Sequence, residues 1–415
     1  MIMLSTNSLQ LGCRCKHSAA RLKQLLLTAG VAAALCASPL TLATPLSLAQ
    51  SPLFVSAAAP ANIFFLSDDS GSMDWNMITT ESDGVMYLTA GGNTTKYTYI
   101  FPQADNNYAW NDGNGRILPS EAAVLAGSDM PADAHGVWRG RFSGYNNMYY
   151  DPAVTYKPWQ GVDNTGTAYA NASATAARLN PFNAAAGTVD LTANMSWTAH
   201  NVPRTNGTTS DLTVTNFYPA MYYTWTDSNS NSVVDAADAH TLVEIRSSTT
   251  SYTKASTRTD CAGSSCTYAE EIQNFANWFS YHRRRALTSK NAVGSVIAPV
   301  GSEIRIGHAS LHNNSGNTNI QISLMNTSVS SGAKKSLLDA VYGAQSSNST
   351  PLRTKLNEAG KYYECVSGSI FGDTSSYTCP WLSAANGGTC QQSFTILMTD
   401  GYYNDTFSGL PGSGA

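Results

Sequence analysis

NIFFLSDDSGSM, residues 62–73, joins an apolar run to a loop rich in acids and hydroxyls. Residues 63–66 are continuously apolar, which is the pattern of a strand buried on both faces of a parallel sheet. Directly after this strand, Asp68, Ser70 and Ser72 place side-chain oxygens at alternate positions. Oxygen ligands of this kind suit a hard divalent cation such as Mg²⁺. The stretch therefore predicts a metal site at the carboxyl end of the first strand.

A second apolar run, residues 394–398, has the same character and is followed by Asp400. Helical patterns separate the two runs, and strands that alternate with helices favour a doubly wound, mostly parallel α/β sheet. Ligands bind such sheets at the carboxyl ends of the strands, where Asp68 and Asp400 both fall. Because two neighbouring carboxylates repel each other, a bound cation would stabilise the pair.

Thr267 and Glu270 have the spacing of a capping box at the start of a helix that continues to about residue 298. Residues 282–285, within that helix, are interpreted as a solvated basic face, with a binding patch as the alternative. Residues 304–311 predict a strand, and residues 320–324 alternate as its half-exposed hairpin partner. Two further helices are predicted at residues 334–344 and 352–364.

The chain of 415 residues divides into four predicted segments. Residues 1–49 form a signal peptide, because basic residues precede an apolar stretch and a small-residue cleavage site. Residues 50–74 hold the first strand and the metal loop, and residues 75–260 are a large β- and loop-rich insertion. Residues 261–415 form the remainder of the α/β domain, which we expect to be truncated after the Asp400 strand.

The alternative to a signal peptide in this N-terminal leader is a membrane anchor. However, its apolar stretch is short for a membrane span and is broken by Pro39 and Pro45. No later segment is long and apolar enough to cross a bilayer, so we expect an exported mature chain without a membrane span. Charged residues are only 13% of the chain and the net charge is −4, which excludes the basic face of a nucleic-acid-binding protein.

Five cysteines follow the leader, and export permits disulfides. Cys261 and Cys266 are close enough in sequence to close a small loop. Among the other three one thiol is left over, which suggests a partner elsewhere. These three are Cys365, Cys379 and Cys390.

Thr350, which precedes Pro351, is the candidate contribution of a third loop to the metal site. The alternative is that Thr350 only caps the helix that follows. For Ser70 and Ser72 the alternative to metal binding is an ordinary turn after the strand, and for Asp400 it is a turn that ends the strand. The occurrence of all these residues at matching places in the α/β pattern favours the site.

These positions resemble the metal-ion-dependent adhesion site of von Willebrand factor A domains. The pattern of that site is D-x-S-x-S after the first strand, a Thr in a second loop and an Asp after the fourth strand. The resemblance implies that Mg²⁺, Mn²⁺ or Ca²⁺ binds nearest the hydroxyls and that the acids often act through water. It also implies that one coordination position is open to an acidic group on a protein ligand. The matching residues are Asp68, Ser70, Ser72, Thr350 and Asp400.

The flanking sequence is similar to the PilY/PilC type IV pilus biogenesis factors and tip adhesins. The similarity implies a pilus-associated adhesin, not an enzyme, in the periplasm, the outer membrane or at the cell surface. The implied partners are a host surface or a pilus component and the C-terminal β-propeller of that family, which this sequence lacks. The similar segments are residues 149–159, 275–285, 350–353 and 397–402.

Two other functions compete with adhesion. A Mg²⁺-dependent phosphotransferase or hydrolase would use Asp68 as its nucleophile, but such sites have a second Asp where this chain has Ser70. No Walker loop, nucleophile elbow or zincin motif occurs either. The third possibility is a cytoplasmic A-domain subunit of a metal-inserting complex. The predicted signal peptide argues against it, because it indicates export.

A second candidate metal site is the stretch at residues 227–238, which has oxygen-bearing residues at the spacing of an EF-hand-like Ca²⁺ loop. Ser232 stands where such loops have Gly, and the last position is Asp rather than Glu. The alternative is a polar surface loop. The candidate ligands are Asp227, Asn229, Asn231, the Val233 carbonyl, Asp235 and Asp238.

Overall fold

A computed structural model describes residues 59–102, 117–313, 318–401 and 403–405, so the predicted signal peptide lies outside the described residues. The strands in chain order are β1 Ala61–Ser67, β2 Met86–Ala90, β3 Asn93–Tyr97, β4 Ala177–Arg178, β5 Thr188–Val189, β6 Met195–Pro203, β7 Thr209–Phe217, β8 Met221–Thr226, β9 Ala239–Glu244, β10 Tyr252–Thr253, β11 Ser265–Cys266, β12 Ile304–Ser310, β13 Ile320–Leu324 and β14 Ser393–Met398. The α-helices are α1 Glu121–Ala126, α2 Tyr268–Tyr281, α3 Arg285–Ile297, α4 Gly332–Gly343 and α5 Leu352–Glu364.

The main sheet has four strands in the order β13-β12-β1-β14. Strands β12 and β14 pair with β1 in parallel, on its two sides. Strand β13 pairs antiparallel with the outer side of β12, which confirms the predicted hairpin. Long segments that contain helices connect the parallel strands, as parallel pairing requires. The protein therefore has a mixed α/β architecture with a largely parallel sheet.

Helices cover both faces of β1. Phe65 points into one core cluster, which also contains side chains of α2, α3 and α4. Phe64 and Leu66 point to the opposite face, where Tyr362 of α5 belongs to a second cluster. Because neither face of the strand meets water, the run is continuously apolar rather than alternating.

The chain between β1 and α2 forms two-stranded antiparallel sheets, which pair β2 with β3, β4 with β5, β6 with β7 and β8 with β9. These hairpins share the larger core cluster with the helices. The ring centroids of Phe101 and Phe279 lie 5.4 Å apart, and those of Tyr149 and Trp278 lie 5.0 Å apart. The Tyr150 hydroxyl donates to the buried Glu271 carboxylate at 2.7 Å. The aromatic side chains of this region thus pack against α2 rather than forming a separate core.

The predicted helix from residue 268 is two helices, α2 and α3, and its start at the Thr267–Glu270 capping box is confirmed. The interpretation of residues 283–285 as a solvated face is wrong, because all three arginines are buried. Arg283 donates to the Leu179 carbonyl at 2.7 Å, and Arg285 donates to the Met77 carbonyl at 2.7 Å. Backbone carbonyls from the preceding region therefore replace water around these guanidinium groups.

The prediction that β14 is buried on both faces is wrong, although the strand itself is confirmed. Phe394 is 51% exposed and Ile396 is 40% exposed. Within the described residues β14 pairs only with β1, so it lies at the edge of the sheet. The apolar run thus presents large side chains to solvent on one face.

The predicted Cys261–Cys266 disulfide is confirmed, and a second disulfide joins Cys365 to Cys379. Cys390 is the remaining thiol among the described cysteines, and it is exposed. Among the described residues, no helix combines the length and the hydropathy needed to cross a bilayer.

The buried ion pair between Arg284 and Asp74 gives the first prediction. The two groups are 3.0 Å apart, and both side chains are 0% exposed. Asp74→Asn removes the carboxylate charge that faces this buried guanidinium, so we expect a loss of about 3–5 kcal/mol in the free energy of unfolding, measured by urea denaturation. Glu358→Gln, which breaks the partly exposed pair with Lys355, is the control and should cost less than about 1 kcal/mol. Equal stability of the two variants would contradict the prediction.

Candidate metal-binding site

The loop after β1 is fixed by hydrogen bonds to the end of β14. The backbone N–H of Asp68 donates to the Met398 carbonyl at 2.8 Å. One oxygen of the Asp68 carboxylate accepts the Ser70 N–H at 2.8 Å, and the other accepts the Thr399 hydroxyl at 2.8 Å. Asp68 is only 6% exposed. Its carboxylate therefore has a defined orientation at the carboxyl edge of the sheet, between the two parallel strands.

Ser70 and Ser72 bring two hydroxyls together in this loop. Their Oγ atoms are 3.3 Å apart, and the Ser70 side chain also interacts with the Asp68 carboxylate and lowers its pKa. Neighbouring ligands of an octahedral Mg²⁺, at 2.0–2.1 Å from the metal, are themselves about 3 Å apart. The pair of hydroxyls is thus close to the spacing that one cation would need.

The segment 346–351, which precedes α5, packs against the same loop. The N–H of Gly71 donates to the Asn348 carbonyl at 3.0 Å, and the N–H of Ser347 donates to the Asp69 carbonyl at 2.7 Å. Two backbone hydrogen bonds thus join the loops that follow β1 and α4. This arrangement places the candidate residues of both loops at one edge of the sheet.

The interpretation of Thr350 as a helix cap is wrong. Helix α5 begins at Leu352, and Pro351 occupies the cap position without a side-chain hydrogen bond. Thr350 instead forms two hydrogen bonds with Asn404 through its backbone, at 2.5 and 3.1 Å. Its hydroxyl makes no hydrogen bond within the described part of the chain, although the residue is only 8% exposed. The threonine therefore carries an uncommitted oxygen in the loop that touches the serine loop.

Asp400 is not a free carboxylate, because it forms an ion pair with Arg285 at 2.6 Å. The two side chains are 8% and 6% exposed. The same guanidinium donates to the carbonyls of Asp83 and Gly84, both at 3.1 Å. The sequence does not identify Arg285 as the partner of Asp400, because no pattern around Arg285 shows what it contacts. The available signal was that two acids at one sheet edge need a positive charge nearby.

Burial raises the pKa of Asp68, although hydrogen bonds from Ser70 and Thr399 oppose this effect. The nearby charge of Asp400 raises the pKa of Asp68 further. Burial also raises the pKa of Asp69, whose carboxylate accepts the His312 N–H at 3.0 Å. The environment therefore disfavours negative charge at this edge, and a bound cation would remove that penalty.

The side chains available at this edge of the sheet decide which metal ions could bind there. Within residues 59–102, 117–313, 318–401 and 403–405, no three His, Cys, Asp or Glu side chains gather closely enough to hold an ion. Any cation at this edge would depend on the three hydroxyls for much of its coordination. Hydroxyls with a single carboxylate fit Mg²⁺ or Mn²⁺, which keep several waters. The residues present thus fit a partly hydrated hard cation.

The second candidate stretch forms the connection between β8 and β9. The amide nitrogens of Asn229 and Asn231 donate to the same Asp235 oxygen at 3.0 and 2.8 Å. Asp227 accepts the N–H of Asn231 at 3.2 Å and that of Ser232 at 2.8 Å. Four of the candidate ligand residues therefore converge on one side of the loop.

Asp238 has different partners from the other candidates. Its carboxylate accepts the indole N–H of Trp225 at 2.9 Å and the N–H groups of Asp235 and Ser228 at 2.8 and 3.2 Å. These hydrogen bonds lower the pKa of Asp238. The last position of the loop thus closes the hairpin, and Val233 points its side chain to solvent.

The raised pKa of Asp68 gives the second prediction. A proton bound more tightly in the folded state favours folding below about pH 3.8, and this contribution is lost as the pH rises through the folded-state pKa. Asp68→Asn should therefore unfold at a higher temperature than the parent at pH 7 without divalent cations, and the difference should shrink toward pH 4. Thermal unfolding across this pH range measures it, with exposed Asp373→Asn as the control. A less stable Asn variant at pH 7 would contradict the assignment.

Comparison with known proteins confirms the resemblance to pilus biogenesis factors, at distant identity. The chain is 23% identical over 401 residues to the type IV pilus biogenesis factor PilY1 of Pseudomonas aeruginosa strain UCBPP-PA14, covering 94% of this chain and 27% of that protein. It is 26% identical over 276 residues to PilY1 of strain PAK, covering 63% of this chain and 21% of that protein. The chain thus spans about a quarter of the length of these relatives. No family profile and no solved structure matches it.

Proposed function

We propose that this chain is part of an exported, type IV pilus-associated factor that acts by binding a partner and not by catalysis. Its similarity to PilY1 proteins, which are named as biogenesis factors, supports this proposal. We place the protein in the periplasm, on the outer membrane or at the cell surface, where pilus assembly occurs. A pilus component or a host surface protein is then the partner.

We assign the α/β region to the von Willebrand A type. The parallel strands β12, β1 and β14 with the antiparallel edge strand β13 support this assignment. Strand β1, the first strand of the described residues, lies inside the sheet, and the strand order reverses between β1 and β14, where the loops that follow these two strands meet. Open α/β sheets bind ligands at such a point.

The observation that carries the function is the contact between the loops that bear these hydroxyls. The Ser70 and Ser72 Oγ atoms are 3.3 Å apart, and the Gly71 N–H donates to the Asn348 carbonyl in the loop of Thr350. Ser70, Ser72 and Thr350 would hold the cation directly, while Asp68 and Asp400 would act through water. When bound, the cation supplies a positive centre that accepts an acidic group of the partner. Because Arg285 neutralises Asp400, the cation would keep more of its positive charge. An acidic ligand is therefore favoured over a neutral one.

The third prediction concerns the metal alone. Ser72→Ala and Thr350→Ala each remove one hydroxyl ligand, so we expect Mg²⁺ and Mn²⁺ to bind at least about tenfold more weakly in isothermal titration calorimetry. Ser330→Ala removes an exposed hydroxyl outside the site and should bind both ions like the parent. Unchanged affinity in both site variants would exclude metal coordination by these hydroxyls.

A partner assay separates adhesion from the enzyme alternative. Binding to purified type IV pili should require Mg²⁺, should be lost with EDTA, and should be abolished by Asp68→Ala or Asp400→Ala. If these variants retain metal-dependent binding, the proposed site is wrong. Hydrolysis of p-nitrophenyl phosphate by the parent, lost in Asp68→Ala, would instead favour the phosphotransferase class.

We propose Ca²⁺ as the ligand of the β8–β9 loop, since Asn229 and Asn231 gather around the Asp235 carboxylate and Asp238 of the same loop accepts the indole N–H of Trp225. The fourth prediction uses that indole as a sensitiser for Tb³⁺, which substitutes for Ca²⁺. Excitation of tryptophan should give Tb³⁺ luminescence that Ca²⁺ displaces, and Asp227→Ala should weaken it at least about tenfold. Asp373→Ala, at an exposed acid elsewhere, is the control. Luminescence that survives Asp227→Ala would refute the loop as a site.

A further inference from the structure

A cleft of about 460 Å³ lies between the β-rich insertion and helix α4, apart from the candidate metal site. Asn164, Asn180 and Asn183 line one wall, and Ser336 and Asp339 of α4 line the other. Its volume lies within the range of small-molecule binding sites in proteins. No group in the candidate metal site contributes to it.

Three asparagine amides face this cleft in fixed orientations. The Oδ1 atoms of Asn164, Asn180 and Asn183 accept backbone N–H groups of residues 182–185, at distances of 3.0 to 3.3 Å. The backbone thus fixes which end of each amide is the acceptor. The Nδ2 groups of these residues form no hydrogen bond within the described part of the chain. Asn180 is only 6% exposed, but its Nδ2 group is not fully buried, so water or a ligand in the cleft can accept a hydrogen bond from it.

Asp339 supplies an acceptor on the opposite wall. One of its carboxylate oxygens forms an ion pair with Lys335 on the same helix. The other oxygen has almost no exposed surface and no hydrogen-bond partner among the described residues, so a ligand would reach this carboxylate at the oxygen that Lys335 also contacts. Lys335 already balances the carboxylate charge, so this oxygen favours an O–H or N–H donor over a second cation. A phosphate or carboxylate ligand would meet this oxygen with like charge.

An apolar surface completes the cleft between these polar walls. The half-buried ring of Phe182 lies against Gly343, together with Ile320 and Ala340. A Cβ atom at Gly343 would lie 3.2 Å from the Phe182 ring, so the glycine permits the close approach of the ring to the helix. The cleft therefore offers one flat apolar patch beside several hydrogen-bonding groups.

We infer that this cleft binds a sugar residue of a glycan. Each sugar hydroxyl both donates and accepts, so a carboxylate oxygen and amide N–H groups can bind adjacent hydroxyls at the same time. The C–H face of a pyranose ring packs on an aromatic ring such as Phe182. Neutral ligands suit the balanced charge of Asp339 and Lys335. This site goes beyond the metal-dependent binding proposed above and does not depend on it.

Saturation-transfer-difference NMR on the full chain tests the inference. The probes are the methyl glycosides of glucose, galactose, mannose, fucose and N-acetylglucosamine, each also measured with EDTA. At least one should show transfer that EDTA does not remove. Asp339→Ala removes the acceptor and should weaken binding about tenfold or more. Ser336→Trp, at an exposed helix position that lines the cleft, should block it sterically.

The control is Glu358→Ala, which removes an acid from a similar ion pair on helix α5, outside the cleft. This variant should bind the same glycoside as the parent does. Circular dichroism of all variants tests whether they fold, and the exposed position of Ser336 keeps the test valid if Asp339→Ala unfolds. Absence of transfer from every glycoside, or transfer that both cleft variants retain, overturns the inference. Binding of tetramethylammonium in preference to the glycosides also overturns it.

Discussion

The burial of three consecutive arginines between α2 and α3 is the constraint on which the rest of the structure depends. A guanidinium group removed from water must have hydrogen-bond partners or counter-charges, and each of these finds them far away in the chain. Arg283 binds a carbonyl of the insertion, Arg284 binds Asp74, and Arg285 binds carbonyls of the insertion together with Asp400. The long segment between β1 and α2 is therefore fixed to the helices by charge and carbonyl contacts as well as by aromatic packing. Arg285 also fixes the position of Asp400, the acid that follows β14.

Local patterns in the sequence predict the elements well, because local physics determines them. The apolar runs at β1 and β14, the β12–β13 hairpin and the Thr267–Glu270 capping box depend on neighbours within a few residues. The arginine run was misinterpreted because its partners are carbonyls and carboxylates about one to two hundred residues away in the chain, and no local pattern identifies such partners. The exposure of Phe394 was missed for a related reason, since a strand's apolar pattern does not say whether another strand lies beside it.

The candidate metal residues also show the difference between features that local sequence predicts and contacts between distant parts of the chain. Spacing alone placed Asp68, Ser70 and Ser72 in one loop, and sheet topology placed Asp400 at the same edge. What spacing did not show is that Arg285 pairs with Asp400 in the protein without metal. This ion pair lowers the repulsion between the two acids before any cation arrives. A cation would thus bind a sheet edge whose negative charge is already partly balanced by Arg285. This limits the affinity of the edge for the cation, and it leaves more of the cation's charge available to an acidic partner.

The segment after α4 connects the two proposed binding sites. Gly343 and Gln345 line the cleft, and two to five residues later the chain forms hydrogen bonds with the loop after β1 and reaches Thr350. A segment this short, held at one end by Phe182 packing and at the other by the Asp69 carbonyl, has little freedom to move at one site alone. Its backbone hydrogen bonds hold the loop of Thr350 against the serine loop, while Gly343 permits the close approach of the Phe182 ring to helix α4. The geometry of each site therefore depends on the same few residues, and a substitution between residues 344 and 349 would affect both.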